Sequence, residues 1–138
     1  MTKKDKELLL KDLCARLPYG VKGIVEDGIK LTTPSEWPVE NSIEFSMRYM
    51  VIKNGWKPYL FPMSSMTKEQ ESYMYFNTKF NIDRFETITP KIDEDDSPMY
   101  TEAEDWIALF DWLNANHFDY RGLIEKGLAI DATGLGIY

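Results

Sequence analysis

The sequence predicts a single α+β domain over residues 1–138, with an N-terminal helix, a four-stranded antiparallel meander and C-terminal helices. Three observations predict it. Helical apolar spacing opens the chain, the turn dipeptides Asp27-Gly28 and Asn54-Gly55 separate β-type runs, and capping boxes precede two aromatic-rich segments.

The first helix runs from Lys4 to Leu17, with Leu10, Leu13, Cys14 and Leu17 as its apolar stripe and Leu9 beside it. Pro18 and Gly20 stop it. Cys14 lies within that stripe, so a small buried side chain is the expectation and no thiol chemistry is assigned. Next, the runs Val21 to Glu26 and Ile29 to Thr32 flank Asp27-Gly28, a dipeptide suited to the positive φ of a hairpin turn. A third strand is expected over Ile43 to Val51, where large apolar residues alternate with Glu44, Ser46 and Arg48. Asn54-Gly55 turns the chain into a fourth, Trp56 to Phe61. There Pro58 lacks a donor and argues for a sheet edge or a strand start. Four such strands in succession give a bent meander, with the SH3-like small barrel as one form of it.

Thr67-Lys68-Glu69-Gln70 marks the start of the second helix, with Tyr73, Phe76 and Phe80 as its buried face. Residues 81–98 read as a loop or insertion, apart from a short strand near Phe85 to Thr89, and they include the acidic run Asp93 to Asp96. That run lacks the glycine and distal glutamate of an EF-hand loop and is expected to be solvated. Thr101-Glu102-Ala103-Glu104 opens the third helix, which carries Trp106, Ile107, Leu109, Phe110, Trp112 and Leu113. Asp119 is placed to cap a short fourth helix ending at Lys126, with Gly127 in the left-handed position and Leu128 folding back. The Gly-rich tail Asp131 to Tyr138 follows, as an added strand or a loose end.

Composition narrows the function classes. One cysteine excludes an intrachain disulfide, and with seven methionines and no apolar leader the chain is expected to be intracellular and cytoplasmic. No window approaches a membrane-spanning length. The net charge of -7 sits in the second half, since residues 1–30 are basic by +2 while 63–100 and 101–138 carry -4 and -5. Such a surface repels phosphate backbones and disfavours a nucleic-acid partner.

His117 is the sole histidine, two residues from Asp119, and this pair is the catalytic candidate. No cofactor and no metal site is expected, because one histidine and one cysteine make a poor ligand set. Phosphate loops, nucleophile elbows and paired cysteines are missing from the sequence. Aromatic residues remain. Trp56, Tyr59, Trp106, Trp112 and Tyr120 are the candidate binding residues, as core rings or as anchors for a partner.

Three blocks, Lys6 to Val21, Lys57 to Thr67 and Asp111 to Ala129, resemble a group of short uncharacterised proteins from gut anaerobic bacteria and their prophages and mobile elements. The resemblance implies a cytoplasmic bacterial or phage setting. It brings no activity, substrate or catalytic residue. The leading expectation is a non-enzymatic protein-binding or regulatory module acting through a protein partner or as a homo-oligomer. One alternative is a nucleic-acid-associated protein using Lys3, Lys4, Lys6, Lys11 and Arg16; a second is a hydrolase using His117 with Asp119 or a nearby carboxylate.

Overall fold

The computed structural model describes residues 2–24, 31–32, 55–82 and 87–138, with residues 31–32 described as backbone only. Thr2 caps α1 (Lys3–Arg16): its hydroxyl accepts from the Asp5 N–H at 3.1 Å while the Asp5 carboxylate accepts from the Thr2 N–H at 3.2 Å. Two orphan donors are thereby satisfied. The buried face is Leu9, Asp12, Leu13 and Arg16. This corrects the expected stripe. Cys14 is exposed, because the inward face continues from Leu9 and Leu13 through a polar pair that hydrophobic periodicity cannot register.

A 3₁₀ turn at Leu17–Tyr19 ends with Gly20 in the left-handed region, φ 68°, and leads into β1 (Gly23–Ile24). β1 pairs antiparallel with β2 (Leu31–Thr32), in the register Gly23 to Thr32, which is the hairpin pairing expected from sequence. The Asp27-Gly28 turn, the expected strand Ile43 to Val51, and Asn54 lie outside the described residues.

β3 (Lys57–Pro62) is the centre of the sheet, not its edge. It pairs antiparallel with β1 and parallel with two short C-terminal strands, β6 (Phe118–Asp119) and β7 (Ile130–Asp131). The architecture is α+β with mixed pairing. A four-stranded antiparallel meander or SH3-like barrel does not describe it, since β3 takes parallel partners that arrive from the far end of the chain. Pro58 is tolerated for a specific reason. The Tyr59 N–H donates to the Lys22 carbonyl at 2.8 Å, so Pro58, opposite Gly23, occupies a position where β1 requires no donor. Its missing N–H lies on the β7 side, where pairing involves only Tyr59 and Leu60.

A second 3₁₀ turn, Met63–Ser65, leads to α2 (Lys68–Asn77). Its capping box is the expected one, with the Thr67 hydroxyl accepting from the Gln70 N–H and the Gln70 amide oxygen from the Thr67 N–H. Its buried face is not. Met74 is the helix's one buried residue, while Tyr73 and Phe76 are exposed and Phe80 belongs to the next element. That element, β4 (Phe80–Ile82), pairs antiparallel with β5 (Ile88–Pro90), so residues 81–98 hold part of a two-stranded sheet as well as a loop. The acidic run folds as a tight turn, in which the Asp93 carboxylate accepts from the Asp95 N–H at 2.9 Å.

α3 (Ala103–Ala115) starts one residue later than the sequence suggests. Glu102 is its cap, the Asp105 carboxylate accepts from the Glu102 N–H at 2.9 Å, and the Thr101 hydroxyl instead takes the Trp106 indole N–H at 3.1 Å. The expected fourth helix is a single turn. Its stop is nevertheless the anticipated one: Gly127 has φ 74°, the Leu128 N–H donates to Leu123 and the Gly127 N–H to Ile124. Leu123 and Leu128, joined by that motif, are both buried.

Two apolar clusters flank β3. Leu9, Leu13, Val21, Trp56, Leu60 and Leu123 form the first, against α1; Met63, Met74, Phe80, Leu109, Leu113 and Phe118 form the second, against α2 and α3. Strand alternation explains the division. Trp56, Pro58 and Leu60 are buried at every second position, while Phe61 turns to the second cluster. Among the described residues, no helix is long and apolar enough to cross a membrane.

Candidate functional site

The catalytic candidates His117 and Asp119 lie at the corner where α3 gives way to β6. His117 turns that corner with φ 62°, an uncommon backbone for a residue with a Cβ. Its N–H donates to the Asn114 carbonyl at 3.0 Å and its own carbonyl accepts from the Phe61 N–H at 2.8 Å, which delivers the chain into parallel register beside β3. The imidazole stacks on Tyr138, with ring centroids 3.6 Å apart and planes 13° apart. Burial, then the positive charges of Arg16 and Lys22, hold its pKa down at about 4 from an ordinary 6.5. The ring is therefore neutral near pH 7. Its neutral form contributes stability that is fully present above pH 6.5 and is lost as the pH falls toward about 4.

Asp119 does not orient this imidazole. Its two carboxylate oxygens accept from the Leu123 and Ile124 N–H groups, each at 2.9 Å, and so fix the turn after β6. Among the described residues, His117 Nδ1 is buried without a hydrogen-bond partner. A catalytic dyad needs the base held by its carboxylate; this pair is not so arranged.

Beneath the corner lies the feature that sequence reading missed. Asp12 and Arg16, both fully buried, pair at 2.7 Å along α1, and Arg16 also donates through Nη2 to the Phe118 carbonyl at 2.6 Å. Arg121 reaches the other Asp12 oxygen at 3.2 Å. Both guanidinium carbons lie 5.2 Å from the Tyr120 ring centre, and the Tyr120 hydroxyl donates to Asn114 at 2.8 Å. One network thus ties α1 to the α3–β6 corner. With Arg16 buried within it, a basic footing for nucleic acid falls to Lys3, Lys4, Lys6 and Lys11.

The five candidate binding rings are placed as follows. Trp56 is 0% exposed and lies over Gly23, so it presents no face to a partner. Tyr59 is half-buried in β3, with its carbonyl accepting from Tyr138. Trp106 packs 4.4 Å from Phe80, Trp112 stacks on Tyr73 at 5.3 Å, and Tyr120 is held as described. All three are half-buried.

Exposed rings gather elsewhere. Tyr75 and Phe76 on α2, 53% and 78% exposed, meet edge to face at 5.1 Å. They line two adjoining grooves. One, about 650 Å³, runs along Lys68, Glu71, Ser72 and Ile82; the other, about 470 Å³, passes Lys91, Ile92 and Met99. Ile92 is 62% exposed, and the Lys91 ammonium donates to the Tyr75 carbonyl while lying 5.0 Å from the Tyr75 ring centre. The signal was present in Tyr73-Met74-Tyr75-Phe76: four consecutive bulky residues cannot share one helix face, and once Met74 turns inward Phe76 lies about 200° away. His117 lines neither groove. Among the described residues, no three His, Cys, Asp or Glu side chains group so as to hold a metal ion. Comparison with protein-family models, curated proteins and solved structures finds no match to this chain.

Proposed function

We propose that this chain is a non-enzymatic protein-binding or regulatory module of a bacterial or phage cytoplasm, which docks a protein partner or a second copy of itself at the grooves beside α2. The observation that carries this reading is the pair Tyr75 and Phe76, left open to solvent beside the exposed Ile92 along two adjoining grooves. Exposed aromatic residues next to a groove are the usual anchors of protein interfaces. Lys91, Lys68 and Glu71 around them supply a charged rim.

Phe76→Asp tests it. The substitution leaves the cores untouched, so the denaturant midpoint should hardly move, while retention of the partner from host lysate, or self-association by sedimentation, should fall by roughly tenfold or more. Equal retention and equal self-association in the variant and the parent contradict the proposal, as does the lack of both in the parent.

A further inference from the structure

The β1–β3 ladder contains an interruption. Its register pairs Ile24 with Lys57 and Gly23 with Pro58, so Lys22 and Tyr59 come next and should exchange two hydrogen bonds. One forms: the Tyr59 N–H donates to the Lys22 carbonyl at 2.8 Å. The reciprocal bond is taken over by a side chain from the far end of the domain. The Lys22 N–H donates to the Tyr138 hydroxyl at 2.8 Å, and that hydroxyl donates to the Tyr59 carbonyl, also at 2.8 Å.

The segment that brings Tyr138 there has little else to hold it. Ala132 is buried, but Thr133, Gly134, Leu135 and Gly136 are exposed, and both glycines adopt left-handed φ values, 75° and 65°, with open space where a Cβ would sit. Attachment resumes at Ile137, whose carbonyl accepts from the Lys22 ammonium at 2.9 Å, and at the Tyr138 ring on His117. Two firm ends and a glycine-flanked middle describe a strap. Such a segment opens locally at lower free energy than the cores.

We propose that residues 133–138 are a releasable strap, latched by the Tyr138 hydroxyl inserted between Lys22 and Tyr59, and that opening it unmasks the His117 ring and the two backbone groups the hydroxyl now bridges. This goes beyond the groove on α2 and does not depend on it. Charges around the latch bias it. The Tyr138 ring covers His117, and that burial first, then the charges of Arg16 from α1 and Lys22 ahead of β1, oppose its protonation while the strap is closed. Acid therefore favours the open form.

Hydrogen exchange and an NMR titration of His117 test this with two variants. In Tyr138→Ala, exchange of the Lys22 amide should accelerate by about tenfold or more while the amides of Leu109 and Leu113 stay protected. His117 should then titrate nearer 6.5 than about 4. In Tyr138→Phe, which keeps the ring, the Lys22 amide should still exchange faster while the His117 pKa stays depressed. Unchanged Lys22 exchange and His117 titration in Tyr138→Ala overturn the strap. So does acceleration that extends equally to Leu109 and Leu113, because Tyr138 would then be one more core residue.

Discussion

Asp12→Ala is expected to lower the unfolding free energy by about 3–5 kcal/mol, the cost of stranding a buried charge. Both Asp12 and Arg16 are 0% exposed, and Asp12 is the one carboxylate in contact with the Arg16 guanidinium among the described residues. Removing it leaves a buried positive charge with, among the described residues, the Phe118 carbonyl to accept from it. Arg121 loses the same partner. The converse substitution, Arg16→Met, should be milder, because the remaining aspartate keeps Arg121. Urea unfolding with an unchanged m-value measures both. A loss below about 1 kcal/mol for Asp12→Ala would place the pair in the class of surface ion pairs and contradict its role as the tie between α1 and the α3–β6 corner.

Gly23→Ala should be nearly as damaging, about 3 kcal/mol, at the upper end of what overpacking costs. A Cβ there would lie 2.2 Å from Trp56 Cε2, 2.3 Å from Cζ2 and 2.5 Å from the Lys57 carbonyl oxygen. Trp56 fills the first core and cannot swing away without opening a cavity, and the carbonyl belongs to the strand that pairs with β1. Neither neighbour can yield cheaply. Gly134→Ala is the matched control, since its Cβ would meet nothing and only its positive φ is penalised, by about 1 kcal/mol. Equal denaturant midpoints for the two variants would show that Gly23 is not a packing requirement.

Three local signals in the sequence hold, while the Thr101 capping box gives way to one on Glu102. The Thr67 capping box, the β1–β2 hairpin pairing and the Gly127-Leu128 stop each depend on residues within a few positions of one another, and each is present. What escaped was long-range or polar. β6 and β7 are two residues long, too short for any periodicity, and they pair with a strand more than fifty positions earlier. Nothing local distinguishes Phe118-Asp119 from the start of a helix. On α1, Asp12 and Arg16 look like solvent-facing residues until Arg121 and the Phe118 carbonyl arrive from the other end of the chain. Of the site candidates, His117, Asp119 and Tyr120 follow one another in the chain, but their partners are not legible there: Tyr138 for the imidazole, backbone amides for the carboxylate, Asn114 for the phenol. The Tyr75 and Phe76 pair could have been found by asking which way Met74 faces.

The central claim is a division of labour among the rings: those of α3 and β6 hold the fold, and Tyr75 and Phe76 of α2 are the proposed docking pair. Photo-crosslinking tests it most directly, with a benzophenone side chain placed at position 76 or at Ile107, which is 60% exposed on α3 and lines neither groove. The expected result is a discrete crosslinked species from position 76, to a partner or to a second copy, and none from position 107. Identical patterns from the two positions, or a discrete product from position 107 alone, would contradict it.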